Sequence, residues 1–329
     1  MPRNTKPVSP TSSEFTYLGM DIGGTKIAAG LVSFPSGRLL IQETIPTLPA
    51  RGGEAVLSDT VELARKLKDH AAAAGVDVQG IGIGIAELVS LEGEITSEYL
   101  IKWRGLPVCE IMSQIAPARF ESDARAPALG EALFGAGRPF RNFVYLTVGT
   151  GISYCLVIDG QPYAGAHGHA ILVGSAALTS ECLSCGAIQD QVLEDVASGP
   201  ALVNRYNQRV TSPLATGNEV AAAAANGDRV AEQILSSAGA TLGNRVSFLI
   251  NLLDPHAVIV GGGLGLAGGL YWDSLVSATR KHVWSDISSN LPIVRAELGE
   301  NAGLVGAAAT MWKLRTSQGQ LTAQNFARD

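Results

Sequence analysis

The stretch that most constrains this chain is Leu18-Gly-Met-Asp-Ile-Gly-Gly-Thr-Lys-Ile-Ala-Ala-Gly-Leu-Val32. An apolar run stops at Asp21. Gly23, Gly24, Thr25 and Lys26 follow, and then a second apolar run begins. The pattern predicts strand, tight turn, strand. Paired glycines let a turn adopt positive φ and leave its N–H groups uncovered. Uncovered N–H groups beside a threonine hydroxyl and a lysine make a nest for phosphate. Asp21 stands at the entrance of the turn, where a carboxylate can hold Mg²⁺ through water. Taken alone, the stretch also reads as an ordinary Asp-x-Gly-Gly hairpin.

A second stretch repeats the plan roughly 125 residues later: an apolar run from Val144, then Thr147-Val-Gly149-Thr150-Gly151, then another apolar run closed by Asp159-Gly160. Two such hairpins imply a duplicated domain with the ligand between the halves. A third signal is Asp254-Pro-His-Ala-Val-Ile-Val, a buried strand that runs into Gly261, Gly262 and Gly263. There a flat ring could lie against bare backbone.

The intervening sequence supports an α/β architecture. A strand is expected over Leu39–Thr44 and an amphipathic helix over Glu54–Ala74, with Val56, Leu57, Val61, Leu63 and Leu67 at helical spacing. Val78–Ile85 reads as a buried strand and Ala124–Phe134 as a helix. A long helix over Arg229–Leu253 continues from the alanine-rich Glu219–Asn226. A chain of 329 residues that is 46% hydrophobic suffices for two domains. A net charge of −6 gives no basic footprint for nucleic acid, and no apolar run reaches membrane-spanning length. The four cysteines are unevenly spaced, giving no disulfide framework, and the N-terminus lacks a signal-peptide core. A cytoplasmic location is expected.

On these motifs the chain resembles the ROK (repressor, open reading frame, kinase) family of sugar kinases, from about Tyr17 to Arg315. The resemblance implies an actin-like ATPase (ribonuclease H-like) duplicated fold with the active site in the interdomain cleft. It implies ATP and Mg²⁺ as cofactors, a sugar or polyol substrate and a homodimer. The implied domains are a tail over 1–16, a first domain over 17–120 completed by a last helix over 303–316, a second domain over 121–302, and a tail over 317–329. Asp21, Gly23, Gly24, Thr25, Lys26, Thr147, Gly149, Thr150, Gly151 and Gly261–Gly263 fall on the nucleotide side. Asp123 falls where the family places the base that accepts the acceptor's hydroxyl proton; as an aspartate at a helix start it also suits an N-cap.

The sugar side departs from the pattern. Ala86-Glu87-Leu88-Val89-Ser90 stands where the family usually has Pro-Gly-Pro-Val-Asp. Tyr99 and Ser122 each take the place of a sugar-binding Asn, Leu172 of a Glu, and Ser175 of a His shared by sugar and zinc. Packing at a strand end is the alternative for Tyr99. Glu194, nineteen residues after Ser175, keeps a sugar-binding Glu. Of the family's four zinc ligands only Cys185 survives the ungapped count, and no metal is expected. A rearranged site from Cys182, Cys185, His167 and His169 is the alternative. The resulting expectation is a kinase with altered acceptor specificity, directed at a primary hydroxyl of a modified sugar, carbasugar or cyclitol rather than glucose. The alternative is a catalytically idle sugar-binding protein. A repressor is disfavoured because only about sixteen residues precede the first hairpin.

Overall fold

The computed structural model describes residues 14–181 and 184–326, with the side chains of 180 and 318–326 excepted. They pack as two units. The first holds the described residues up to Arg138, Ala164–His169, and the chain from Asn301 onward; the second holds Pro139–Tyr163 and Ala170–Glu300.

The first unit begins with β1 (Phe15–Ile22), β2 (Lys26–Phe34) and β3 (Arg38–Pro46), a meander of antiparallel strands. Helix α1 (Gly53–Ala73) leads to β4 (Val78–Ile85), and α2 (Val108–Ser113) leads to β5 (Ala118–Ser122). Both β4 and β5 run parallel to β1, giving the order β3-β2-β1-β4-β5. Helix α1 buries Val56, Leu57, Leu63, Ala64 and Leu67, one stripe of its surface, against Leu18, Met20 and Ile22 of β1. Helix α3 (Arg125–Phe134) follows β5. Because β5 pairs within this sheet, the boundary between units falls at Arg138 rather than at the expected residue 120.

The second unit repeats the plan. Strands β6 (Phe143–Val148), β7 (Ile152–Ile158) and β8 (Gln161–Pro162) form the meander. The short β9 (Ser180–Glu181) and β10 (Ile188–Gln189) form a separate ribbon. Helices α4 (Leu193–Ala197), α5 (Gly199–Asn207), α6 (Gly217–Ala225) and α7 (Arg229–Leu253) precede β11 (Ala257–Gly261). After α8 (Gly263–Ala267) and α9 (Gly269–His282) comes β12 (Ile293–Arg295). The order β12-β11-β6-β7-β8 mirrors the first sheet, with β11 parallel to both β6 and β12. Helices α6 and α7 are separate, not continuous as expected. Gly227 takes φ 87°, and the Asp228 carboxylate accepts from the N–H groups of Val230 and Ala231, restarting the helix.

Helix α10 (Ala302–Phe326) returns to the first unit. It is longer than expected: residues 317–326, read as a tail, continue the helix. It covers the face of β1 opposite α1. Gly19 alternates with Leu18 and Met20, and a Cβ on Gly19 would lie 2.1 Å from the Leu304 carbonyl oxygen. On Gly82 of β4 a Cβ would lie 1.7 Å from the Ala307 oxygen, and on Gly306 it would lie 1.7 Å from the Ala126 oxygen of α3. Backbone therefore seats directly on backbone. Trp312 stacks on Phe34 at 4.7 Å between ring centroids. No helix among the described residues is long and apolar enough to cross a membrane.

Gly306→Ala should destabilise the protein by about 1–3 kcal/mol, the usual cost of overpacking. Urea denaturation followed by tryptophan fluorescence checks this; an unchanged midpoint would remove the backbone seat of α10 as a structural requirement.

Candidate active site

In the first unit the register aligns three strand ends. Ile22 of β1 pairs with Ile85 of β4, and Ile85 pairs with Ser122 of β5. The segments leaving those ends carry Asp21 to Lys26, Ala86-Glu87, and Asp123. They are tied together: Ala86 N donates to Ile22 O at 3.0 Å, and Asp123 N to Ile85 O at 3.1 Å. Ligands of α/β sheets gather at the carboxyl ends of strands for this reason.

The 23–25 turn is closed by Gly23 N donating to Lys26 O at 3.0 Å, and is braced by Thr47, whose hydroxyl donates to Gly23 O at 2.6 Å. Gly23 and Gly24 do not have positive φ, contrary to expectation. Gly24 is closely packed instead: a Cβ there would come 2.6 Å from Cδ2 of Leu100, whose side chain would have to shift. A Cβ on Gly23 would meet nothing nearer than the Lys26 oxygen at 3.6 Å. Thr25 and Lys26 are exposed at the tip.

The Asp21 carboxylate lies against Gly303 at the start of α10, where an added Cβ would fall 2.4 Å from Oδ2. None of the ion pairs among the described residues involves it. Burial pushes the Asp21 carboxyl up to about 6, against a smaller opposing pull from the Lys26 ammonium. A carboxylate desolvated in this way suits a hydrated divalent cation, whose charge would offset the cost of burial.

Ser122 is fully buried, and its hydroxyl accepts from Arg125 N at 3.1 Å, capping α3. The half-buried Asp123 stands one residue further on. Arg125, which sequence reading missed, is 3% exposed. Its guanidinium pairs with Glu121 and donates to the carbonyl oxygens of Val89, at 2.9 Å, and Gly168. The 165–169 loop is thereby fastened to the start of α3. A buried arginine two residues past Asp123 gave no periodic signal in sequence.

Glu87 is 5% exposed and engaged: its carboxylate accepts from Tyr99 N, Leu100 N, Ile101 N and the Ser97 hydroxyl. It holds a loop. Tyr99 is 86% exposed, which rules out core packing as its role. His169 Nε2 meets the Thr96 hydroxyl at 3.2 Å, and the His167 and His169 ring centroids are 6.4 Å apart. Cys182 lies outside the described residues, and Cys185 is exposed. No three His, Cys, Asp or Glu side chains cluster for a metal among the described residues.

In the second unit β6 and β11 end together, with Thr147 opposite Gly261. The 149–151 turn is closed by Gly149 N to Gly151 O at 2.9 Å, and Gly149 O accepts from Gly199 N at 2.8 Å. Gly149 and Gly151 also lack positive φ; of the glycine triplet only Gly262 has it, at 79°. A Cβ on Gly262 would come 2.5 Å from the Val148 oxygen, so the triplet and the 147–151 turn are one surface. Thr150 is exposed at its tip. Glu194 of α4 accepts from Ile152 N at 2.8 Å, and its Oε2 lies within 3.0 Å of Cβ positions on both Gly151 and Gly174. Leu172 and Ser175 are exposed on the neighbouring turn.

The chain matches the ROK family over residues 17–313. It belongs to that family. A glucokinase of Streptomyces coelicolor is 32% identical over 316 residues, which cover 88% of this chain and 96% of that one. A ROK family glucokinase from Streptomyces griseus, whose crystal structure holds glucose and AMPPNP, matches with a TM-score of 0.77 at 31% identity, over 90% of this chain and 98% of that one. A ROK hexokinase from Thermus thermophilus matches at 0.74 and 31%, over 92% of this chain and 100% of that one. The fold is the family's actin-like ATPase fold, α/β with two mixed sheets. The family also holds regulators: a xylose repressor of Caldicellulosiruptor bescii is 27% identical over 89% of this chain and 77% of its own length.

Asp21 gives a test in solution. Its folded pKa of about 6 lies above the ordinary 3.8, so the folded state binds the extra proton between those values. Stability therefore falls as pH rises through that window, with a cost on the order of 3 kcal/mol fully expressed above it. Asp21→Asn should melt higher than the unaltered protein at pH 8 without added metal, and the gain should vanish near pH 4. Equal melting temperatures at pH 8 would refute the assignment.

Proposed function

We propose that this ROK protein is an ATP-dependent kinase that phosphorylates a primary hydroxyl of a sugar or sugar-like polyol. The supporting observation is the register that sets Asp21, the Glu87 loop and Asp123 at adjoining strand ends. The names of its glucokinase relatives support the same class of reaction.

In this reading the exposed threonines and uncovered N–H groups of the two turns take phosphate oxygens. The surface formed by Gly261–Gly263 takes the adenine end of the nucleotide. Asp21 would hold hydrated Mg²⁺, which when bound offsets phosphate charge. Asp123 orients the acceptor hydroxyl and takes its proton as oxygen bonds to the γ-phosphorus; the bond from that phosphorus to the bridging oxygen breaks and ADP leaves. Glu194 and Tyr99 contact the acceptor.

We assign the acceptor to rings other than glucopyranose. Tyr99 and Leu172 are exposed and lack the amide and carboxylate of the family pattern, while the Ser122 hydroxyl is engaged in capping α3. Each lost polar contact to a buried hydroxyl costs about 0.5–3 kcal/mol. Several together would cut glucose affinity by orders of magnitude. Asp123 needs only one well-placed primary hydroxyl, which a deoxy or amino sugar, or a carbasugar or cyclitol with an exocyclic CH₂OH, can offer.

Two measurements check this. Asp123→Asn should keep nucleotide affinity and lose about 10²–10⁴-fold in turnover on the true acceptor; near-normal turnover would displace Asp123 from its role. In an ATP-consumption panel of sugars and cyclitols, glucose should be among the poor acceptors. Efficient glucose phosphorylation with KM below about 1 mM would overturn the specificity assignment.

A further inference from the structure

The 97–103 loop is secured at both ends. At its start the Ser97 hydroxyl accepts from Leu88 N at 2.8 Å, and Thr96 N donates to Leu88 O at 2.8 Å. At its far end Trp103 is buried, and its indole N–H donates to Gly53 O at 2.8 Å. The middle, Tyr99 to Ile101, is held by Glu87 Oε2 on Tyr99 N at 3.0 Å and Oε1 on Ile101 N at 2.8 Å, with Leu100 N between them. Three consecutive N–H groups converging on one anion form a nest, a geometry that ordinarily receives a bound anion. Here the anion belongs to the chain. Lys102, the next residue, adopts φ 57°, a conformation that non-glycine residues rarely take unless their surroundings hold it.

This arrangement reaches two parts of the site. Tyr99 has its main chain fixed while its ring projects into solvent. Leu100 lies on Gly24 of the 23–25 turn, where an added Cβ would come 2.6 Å from its Cδ2. Glu87 occupies the place of a glycine in the pattern Pro-Gly-Pro-Val-Asp, and a glycine brings no carboxylate to such a nest.

We propose that Glu87 is a positioning residue for acceptor recognition: a built-in anion that shapes the 97–103 loop and presents Tyr99 to the acceptor. The proposal rests on the kinase reading above only for its kinetic consequence.

Glu87→Gln keeps the shape of the side chain but turns one acceptor into a donor facing N–H groups. By hydrogen–deuterium exchange, the amides of Tyr99, Leu100 and Ile101 should exchange at least about tenfold faster, the change expected from one lost charged hydrogen bond. Amides of β1 and β4 should keep their rates. With an active acceptor its KM should rise by a similar factor, while kcat and the affinity for AMPPNP stay within about threefold. Glu87→Asp should recover part of the KM. Unchanged exchange at 99–101 overturns the proposal, as do parallel losses in kcat and nucleotide affinity, which mark a merely structural role. If the unaltered protein turns over no sugar or polyol, the kinase reading fails, and the exchange experiment alone decides the role of Glu87. Should Glu87→Gln not fold, Ser97→Ala, which removes one donor to the carboxylate, must show the same exchange pattern more weakly, and its absence overturns the proposal.

Discussion

The first unit depends on the seat of α10 against its sheet. A helix normally stands off a sheet by the depth of its side chains. Here Gly19 and Gly82 remove the side chains of β1 and β4 where Leu304 and Ala307 pass, and Gly306 does the same toward α3. The helix comes close enough for its first turn to overlie the end of β1, with Gly303 against the Asp21 carboxylate. The positive end of a helix favours a nearby anion. Burial nonetheless wins, and the carboxyl is pushed up to about 6. The same close packing that fixes the sheet desolvates the Asp21 carboxylate beside the 23–25 turn.

How legible this was in sequence varies by kind of interaction. The two hairpins, the strand into the glycine triplet and the helix over Arg229–Leu253 follow from apolar periodicity and turn residues, and the structure has each of them. The reason given for the turn glycines does not hold. Gly23, Gly24, Gly149 and Gly151 serve through what packs on them or leaves them open, not through positive φ. A local sequence window reports turn chemistry but not which distant side chain arrives. Leu100 on Gly24 and Glu194 on Gly151 are such arrivals. The break at Gly227 and Asp228 carries legible signals, a glycine followed by an aspartate N-cap, but the alanine-rich run before it favours continued helix.

Departures from the family pattern were visible as substitutions, but their consequences were not. The family pattern puts Glu87 on the sugar side, yet its carboxylate is surrounded by main-chain N–H groups. Ser122 falls there too, yet its hydroxyl accepts from Arg125 N at the start of α3. A polar residue at a site position can be engaged by the backbone before any ligand reaches it, and only coordinates separate the two cases.

Glu87 and Arg125 together show how loops at the strand ends of the first unit are kept ordered without an apolar core of their own. The anion gathers N–H groups at 99–101, and the cation gathers carbonyl oxygens at 89 and 168. Each satisfies backbone groups that would otherwise be buried without partners, a loss of about 1–3 kcal/mol apiece. Arg125 has Glu121 as its counter-ion, whereas Glu87 has hydrogen bonds alone among the described residues. A buried ion pair gives little net stability against an apolar replacement, but removing one partner is costly. Such groups therefore act less as sources of stability than as fixed points. They set where Tyr99, the 165–169 loop and the start of α3 lie, tying the loops around Asp123 to the ends of β4 and β5.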